Sequence, residues 1–400
     1  MKEFIQKRPL IIIMCILCFI SCFAILNAAP IIQKVPNPQT LWMKQLIFYG
    51  MSVVMIYIIN KIGNEAIYEN IWLIYWILVI LLGLLVIDHY VYPLIGGNHI
   101  VPFANRSGGA TSWYNLRVFS LQPSEFMKIA LVILLSKLTK EYNEYTLIPT
   151  LESEIAYVAK CMGVVILPAA LVYLQNDTGV VLIILMGVLF VFFGSGIRDK
   201  WFIIGIAAII CIVGLGIYIY VFQHDIFATI FTGHKLDRFY GWLDPEGTVK
   251  KQGFQLFYSL LSYGTAGWFG HGFQQVVMGF PEAQTDFIFA VILTDYGFIG
   301  GLITLGFIVL LDIVILGIGF ESSNDRDKYF TMGIFGMLIF QQVWNISMIL
   351  GLLPITGITL PFISYGGSSL LSYMIAIGMF IDIDDQNKIL KNRHLTTKGL

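Results

Sequence analysis

Long apolar runs, separated by polar segments, dominate the pattern along the chain. Runs of membrane-spanning length lie near residues 9–28, 41–60, 70–87, 124–139, 155–174, 178–196, 201–222, 287–316, 328–352 and 365–383. A helix needs about 20 mainly apolar residues to cross a bilayer. The pattern therefore predicts an all-α polytopic membrane protein with about ten transmembrane helices. Because no soluble domain or internal repeat interrupts it, residues 1–400 are interpreted as a single domain.

The distribution of Lys and Arg predicts the orientation of these helices. With the N-terminus inside, the cytoplasmic segments hold 14 Lys and Arg residues and the outer segments hold 7. Cytoplasmic loops carry an excess of positive residues, so both termini are predicted to be cytoplasmic. The long polar segments at about 88–122 and 223–285 would then face outward. The second of these forms a large extracellular loop between helices seven and eight.

Composition supports the membrane assignment and narrows the partners. Only 12% of residues are charged, and the mean hydropathy is +0.79, whereas a soluble domain carries about 25% charged residues. The net charge of -1 argues against a nucleic-acid partner, which would require a basic surface. All five cysteines lie in apolar runs, so no disulfide framework is indicated.

A carboxylate stands where the longest polar segment meets an apolar run. Asp286 ends the polar segment, and such a group is costly at a membrane boundary unless it is solvated, paired or used. It can cap the following helix, as can Thr285. Alternatively, burial can raise its pKa enough for it to accept a proton. Asp295, inside the same run, is either a hydrogen-bonded structural group or a lining of a polar cavity.

The first outer segment carries a second group of polar residues. Trp113 is an interface anchor or a site residue. The sequence Gln122-Pro123-Ser124-Glu125 opens a helix, and Lys128 lies on the same side of that helix as Glu125. The two charges form either a plain ion pair or a site for an anionic headgroup. Asp177, in a short outer turn, is predicted to cap the sixth helix.

The large outer loop contains a predicted helix at 254–263. Its polar strip holds Gln255, Ser259 and Ser262, and the helix lies either in the membrane interface or packed on the bundle. Glycines that follow at 264, 267, 270 and 272 predict a turn or a close backbone approach.

Residues 351–369 cannot continue a helix because they contain two prolines and four glycines. Irregular backbone at membrane depth must be buried in protein or line a cavity. This segment is therefore predicted to shape a pocket. Its available hydroxyl groups are those of Thr356, Ser364, Tyr365, Ser368 and Ser369.

These motifs together resemble the SEDS (shape, elongation, division and sporulation) family. The residues that carry the resemblance are Gly109-Ala110 with Trp113, Gln122-Pro123-Ser124-Glu125, Asp244-Pro245, Pro281 with Thr285-Asp286-Phe287, and the block at 354–369. The resemblance implies a peptidoglycan glycosyltransferase that polymerises lipid II at the outer face of the bacterial cytoplasmic membrane, in elongation, division or sporulation. It also implies a class B penicillin-binding protein as partner.

The resemblance assigns the essential carboxylate to Asp286. This group would deprotonate the 4-hydroxyl of the acceptor sugar, which attacks the donor anomeric carbon and expels undecaprenyl pyrophosphate with inversion. Lys128, Arg238 or a divalent cation (Mg²⁺ or Mn²⁺) would offset the leaving charge. The residues expected to bind substrate are Trp113, Gln122, Ser124, Glu125, Lys128, Arg238, Gln255, Thr285, Ser364 and Ser368.

Departures from the family pattern leave Asp286 intact. They are Ser112 for Arg, Asn176 for Pro, Tyr258 for Gln and Thr294 for an acid. Two other functions fit a polar cavity among membrane helices. One is a flippase or transporter of lipid-linked oligosaccharides, and the other is a scaffold that activates a penicillin-binding protein without chemistry of its own.

Overall fold

The computed structural model describes residues 9–32, 35–107, 109–116, 119–146, 148–223, 234–275 and 278–398. In these ranges the helices are α1 (Pro9–Ala28), α2 (Leu41–Ile62), α3 (Asn64–Glu69), α4 (Ile71–Val91), α5 (Pro123–Tyr145), α6 (Leu151–Leu174), α7 (Thr178–Gly194), α8 (Lys200–Phe222), α9 (His234–Leu243), α10 (Phe254–Gly264), α11 (Ile288–Glu321), α12 (Asp325–Ile349) and α13 (Gly367–Lys398). The strands are β1 (Ala104–Ser107), β2 (Ala110–Asn115) and β3 (Ser120–Leu121).

Each of the ten predicted apolar runs coincides with one long helix. Within the described ranges, seven helices are long and apolar enough to cross a membrane, namely α1, α2, α4, α6, α11, α12 and α13. The apolar α7 has 17 residues and is slightly shorter. α5 has 23 residues and carries several charged side chains, among them Glu125, Lys128 and Lys137. The prediction of a polytopic helical membrane protein is confirmed.

The helices run alternately up and down between two ends of the bundle. At one end, Arg326 pairs with Glu65 and Arg198 pairs with Glu154. We call this the inner end, because its segments are those that the Lys and Arg distribution assigns to the cytoplasm. The opposite end, the outer end, carries the sheet and the large loop. The orientation itself stays a prediction, and the basic residues Lys2, Lys7, Arg8, Lys34 and Arg117 that entered it lie outside the described residues.

Three glycines allow α12 to pack closely against its neighbours. A Cβ at Gly333 would lie 2.5 Å from Val132 of α5, and one at Gly336 would lie 2.4 Å from Phe190 of α7. Gly187 of α7 faces Met337 of α12 in the same way. Small residues permit this approach where lipid provides no hydrophobic drive between helices.

A small sheet, which the sequence pattern did not predict, folds the first outer segment over the bundle. β1 and β2 are antiparallel, with Asn105 opposite Trp113. β2 and β3 pair through Tyr114 and Leu121. The sheet thereby carries the chain directly into α5, and it places Trp113 beside the start of that helix.

A loop of the large outer segment docks into a break in α11. Gly297 has φ 63° inside this helix. The break frees the carbonyls of Thr294 and Asp295, which accept hydrogen bonds from His271 N (2.9 Å) and Gly272 N (3.0 Å). A Cβ at Gly270 would lie 2.3 Å from the Asp295 carbonyl carbon. The predicted close backbone approach is therefore confirmed.

α10 packs on the outer end of the bundle with its polar strip inward. Ser259 and Ser262 are buried, whereas Phe254 and Leu261 are exposed. The helix is therefore packed on the bundle, and its exposed face is apolar.

Candidate active site

A polar cavity of about 670 Å³ opens at the outer end. Its walls come from the sheet, from the first turns of α5 and α7, from residues 282–286 and from residues 356–370. Segments that are distant in sequence therefore meet in one space. The irregular segment that follows α12 forms part of the wall, as its prolines and glycines predicted.

Eight of the predicted site residues line this cavity. They are Trp113, Gln122, Glu125, Arg238, Thr285, Asp286, Ser364 and Ser368. The structure thus brings Glu125 and Asp286 to the same cavity, although 160 positions separate them in the sequence. Ser124, Lys128 and Gln255 are not among the lining residues.

Asp286 lies in the turn before α11 and does not cap that helix. The residue before the first helical position is Phe287, which makes no side-chain cap. Within the described chain, no N–H group donates a hydrogen bond to the Asp286 carboxylate, which is half-buried and faces the cavity. A Cβ placed on Gly357 would lie 3.4 Å from Asp286 Oδ2 and 3.7 Å from Arg238 Nη1. The carboxylate and the guanidinium therefore approach the same backbone position.

The surroundings of Asp286 favour its protonated form. Burial within the cavity wall raises the pKa of Asp286 to about 7, because the charged form loses hydration. The neighbouring Glu282 raises this pKa further by repulsion, and Arg238 lowers it by attraction. A carboxylate with a pKa near neutrality is suited to accept a proton during a reaction.

Two side chains hold the backbone around Asp286. Asn345 Nδ2 of α12 donates to Asp286 O (2.7 Å) and to Ile358 O (2.7 Å). Ser364 Oγ donates to Thr285 O (2.7 Å). These bonds fix the turn that bears the carboxylate against the irregular segment. Ser364 therefore supports the turn through its hydroxyl group and also lines the cavity.

The large outer loop covers this segment through α9. Arg238 Nη1 donates to Thr356 O (3.3 Å), and Trp242 Nε1 donates to Gly351 O (2.9 Å). The exposed guanidinium of Arg238 thus stays at the cavity. Thr285 Oγ1 donates to Glu282 Oε2 (3.0 Å), which orders the acidic turn beside it.

A series of linked hydrogen bonds lies in another wall of the cavity. Trp113 Nε1 donates to Gln122 Oε1 (3.0 Å), and Gln122 Nε2 donates to Asp177 Oδ2 (2.8 Å). Gln122 N donates to Ser368 Oγ (3.0 Å), which ties the start of α13 to the same wall. Trp113 is therefore part of the cavity wall.

Asp177 has two roles that meet in this wall. Its Oδ1 accepts from Val180 N (3.2 Å) and so caps α7, as predicted. Its other oxygen accepts from Gln122 Nε2, and Asp177 is among the residues that line the cavity. Burial raises the pKa of Asp177 to about 6, and the nearby Glu125 adds to this effect. The capping prediction was correct, but the sequence pattern did not indicate that the same carboxylate lines the site.

Lys128 does not face the cavity. Its ammonium group is fully buried, lies 2.7 Å from Glu125 Oε2 and stands 4.2 Å above the ring of Tyr373. A buried charge needs such compensation. Its structural role is therefore to neutralise Glu125, and the plain ion pair is the alternative that the geometry favours.

The two remaining predicted residues are also absent from the cavity lining. Ser124 is buried, and its hydroxyl has no hydrogen-bond partner in the described chain. Gln255 of α10 donates to Pro281 O (3.1 Å). Gln255 thus supports the segment that leads into Asp286. Asp295 is buried beside the docked loop and is not among the residues that line the cavity, and its carboxylate Oδ2 has no hydrogen-bond partner in the described chain.

No metal centre is evident among the described residues. They contain no group of three or more His, Cys, Asp or Glu side chains arranged to hold an ion.

Comparison with known proteins places the chain in a family. Residues 8–389 match the family of cell cycle proteins that comprises FtsW, RodA and SpoVE. The chain belongs to the SEDS family. This finding confirms the resemblance that the motifs indicated.

Several curated relatives resemble the chain over most of its length. Stage V sporulation protein E of Bacillus subtilis is 31% identical over 353 residues, which cover 85% of this chain and 86% of that protein. A probable peptidoglycan glycosyltransferase FtsW of Coxiella burnetii is 30% identical, with 86% of both chains covered. Peptidoglycan glycosyltransferase MrdB of Escherichia coli K12 is 30% identical over 72% of this chain and 74% of MrdB.

Solved structures share the fold of this SEDS protein. A chain of a peptidoglycan synthase complex, described for the coordination of polymerization and crosslinking, aligns with a TM-score of 0.75 and 22% identity. The rod shape determining protein RodA of Thermus thermophilus aligns with a TM-score of 0.64 and 22% identity. Both alignments cover 95% of this chain and 97% of the other. The multi-pass helical architecture is therefore that of RodA.

Proposed function

We propose that this SEDS protein is a peptidoglycan glycosyltransferase that polymerises lipid II. The observation that carries the proposal is the Asp286 carboxylate, which faces a 670 Å³ polar cavity at the outer end. Its pKa of about 7 suits proton transfer near neutral pH. The relatives named peptidoglycan glycosyltransferases support the same reaction class.

In the proposed reaction, Asp286 acts as a general base. The 4-hydroxyl oxygen of the acceptor sugar attacks the anomeric carbon of the donor while its proton passes to the carboxylate. A new bond forms between that oxygen and the anomeric carbon as the bond from that carbon to the pyrophosphate oxygen breaks. Attack from the side opposite the leaving group inverts the anomeric centre, and undecaprenyl pyrophosphate leaves.

Arg238 is the described cation that lies beside the base. Its guanidinium, held at Thr356 O, can stabilise negative charge on the pyrophosphate as the bond breaks. A divalent cation, if bound at the cavity, would supply further stabilisation of the negative charge on the leaving pyrophosphate.

The proposal implies a location and a partner. The reaction would take place at the outer face of the bacterial cytoplasmic membrane, with the inner end in the cytoplasm. A class B penicillin-binding protein would crosslink the product. Support for such a partner comes from the fold shared with a chain of a peptidoglycan synthase complex.

Reconstitution of the purified protein in liposomes with labelled lipid II tests the function. The proposal expects glycan polymer from the wild-type chain, with or without a penicillin-binding protein that supplies no polymerase activity. Movement of lipid II across the bilayer without polymer would identify a flippase instead. Polymer that appears only with the partner's own polymerase would identify an activating scaffold.

A further inference from the structure

The proposed reaction needs a cation that can bind the phosphates of a lipid-linked sugar at the membrane surface. Lys128, which the sequence suggested, is fully buried and is already paired with Glu125. Among the described lining residues, the cations are Arg238 and Lys44. Arg238 lies beside Asp286, whereas the proposed reaction assigns no role to Lys44.

Lys44 lies in the first turn of α2, at the outer surface of the bundle. It is three residues after Leu41, so it is about 4.5 Å from the start of the helix along its axis. Its neighbours Met43, Leu46 and Ile47 are about half exposed and face outward as lipid-contacting residues do. The ammonium group is therefore placed at the level where headgroups meet the hydrocarbon.

The turn that bears Lys44 is built into the wall of the site. Its neighbour Gln45 is fully buried, donates to Ser364 O (3.2 Å) and accepts from Gly366 N (3.3 Å). Ser364 in turn donates to Thr285 O, next to Asp286. One hydrogen-bonded framework thus positions both the cation at the surface and the carboxylate in the cavity.

The ammonium group of Lys44 has no charged partner in the described chain. No carboxylate of the described chain lies within ion-pairing distance of its ammonium group, which is exposed. The other described lysines of the outer half do not combine exposure with a position in the cavity wall. An exposed cation with a polar cavity on one side and lipid on the other suits an anion that is itself attached to a lipid chain.

We propose that Lys44 binds the pyrophosphate of the polyprenyl-linked substrate at the membrane-facing side of the cavity. The inference rests on the proposed function and adds to it the group that recognises the lipid-linked phosphate. The lipid chain would then lie along the exposed apolar face of α2. Arg238 would serve the phosphate from the other side, next to the base.

Equilibrium binding of labelled undecaprenyl pyrophosphate to the full-length protein tests this assignment. The protein is placed in nanodiscs of neutral phosphatidylcholine. We expect Lys44→Gln to weaken binding about tenfold, equivalent to about 1.4 kcal/mol. Lys44→Arg keeps the charge and should retain most of the affinity. Lys61→Gln, at the inner end of the same helix, is the matched control and should bind as the wild type does.

Further probes separate the possible sources of the effect. Uncharged undecaprenol should bind equally to wild type and Lys44→Gln, because only the phosphate differs. Equal binding of the pyrophosphate by both proteins would overturn the inference. A difference that appears only in phosphatidylglycerol nanodiscs would also overturn it, since Lys44 would then bind bulk anionic lipid. Thermal unfolding of each variant confirms that binding is compared between folded proteins.

The assay separates this inference from the proposed function because it requires no turnover. A wild-type protein that binds undecaprenyl pyrophosphate through Lys44 but forms no polymer would contradict the function and leave the inference standing. Normal polymerisation with unchanged binding by Lys44→Gln would contradict the inference alone.

Discussion

At the scale of single residues, the site is defined by opposing charges around one carboxylate. Glu282 raises the pKa of Asp286 and Arg238 lowers it, while burial has the largest effect. A general base works in its deprotonated form, so activity should fall as the pH decreases through about 7. Changes to the two neighbours should therefore move the acid side of the pH–rate profile in opposite directions.

Glu282→Gln removes the repulsive charge and keeps the shape of the side chain. The pKa of Asp286 should fall, and the decline in kcat/KM at acid pH should move to lower pH. Arg238→Gln should move it to higher pH and also reduce the rate, because the leaving group loses a stabilising charge. Measured profiles that shift in the same direction for both variants would contradict the assigned electrostatics. Glu246→Gln, a change in the same outer loop outside the cavity, is the control.

Some site residues were visible in the sequence and others were not. Asp286 could be predicted because a carboxylate at the junction of a polar segment and an apolar run is costly unless it is solvated, paired or functional. Lys128 was predicted as a substrate ligand because it lies near Glu125 on a helix. Only the packed structure shows that this side of α5 faces Tyr373, whereas Lys44 of α2 reaches the cavity. Which face of a helix is exposed depends on its neighbours, and a single sequence does not give them.

At the scale of elements, the kinked helix α11 depends on two glycines that touch. Gly270 has φ 80° and lies against the Asp295 carbonyl, and Gly297 forms the kink. The exchanged backbone hydrogen bonds tie the large outer loop to the helix that follows Asp286. The position of the carboxylate therefore depends on a backbone contact about ten residues away.

Gly270→Ala should destabilise this contact. The new Cβ would lie 2.3 Å from the Asp295 backbone, and the positive φ is itself unfavourable for alanine by about 1–2 kcal/mol. The expected result is a lower thermal unfolding midpoint and reduced polymerisation. Gly264→Ala is the matched control, because no atom lies within 4 Å of its Cβ and its φ is ordinary. Equal midpoints for the two variants would contradict the docking of the outer loop into the break in α11.

The long helices could be predicted from apolar runs, but the arrangement of the loops could not. Ten runs of spanning length gave ten long helices because length and apolarity alone determine them. The sheet at 104–121 lies in a polar segment. Its strands are so short that the alternation of polar and apolar residues does not predict how they pair. α10 was predicted as a helix, yet its serines face the bundle, since buried hydroxyls can bond to nearby carbonyls such as Leu256 O.

At the scale of the whole molecule, the site and the ion pair between Arg326 and Glu65 lie at opposite ends of the bundle. Arg326 is buried at the inner end, makes two hydrogen bonds to Glu65 and lies 3.6 Å above the ring of Tyr68. The neighbouring Asp327 is also buried. Because these contacts join α3 and α12 far from the cavity, stability and catalysis should be separable.

Arg326→Gln should lower stability with little effect on the reaction. The change removes the bonds to Glu65 and leaves buried Asp327 without its nearest cation, at a cost of about 1–3 kcal/mol. The thermal unfolding midpoint should fall, while the polymerisation rate well below that midpoint should stay near the wild-type value. Lys328→Gln breaks only an exposed pair with Asp325 and should change neither quantity appreciably. A large loss of rate without loss of stability would contradict the separation.

The proposed reaction depends most on Asp286 as the group that accepts the proton. The direct test is the rate of lipid II polymerisation by Asp286→Asn, measured beside its binding of undecaprenyl pyrophosphate. If Asp286 is the general base, the rate should fall by about 10²-fold or more, the typical contribution of such a group, with binding close to that of the wild type. Polymerisation by Asp286→Asn at an undiminished rate would contradict this role.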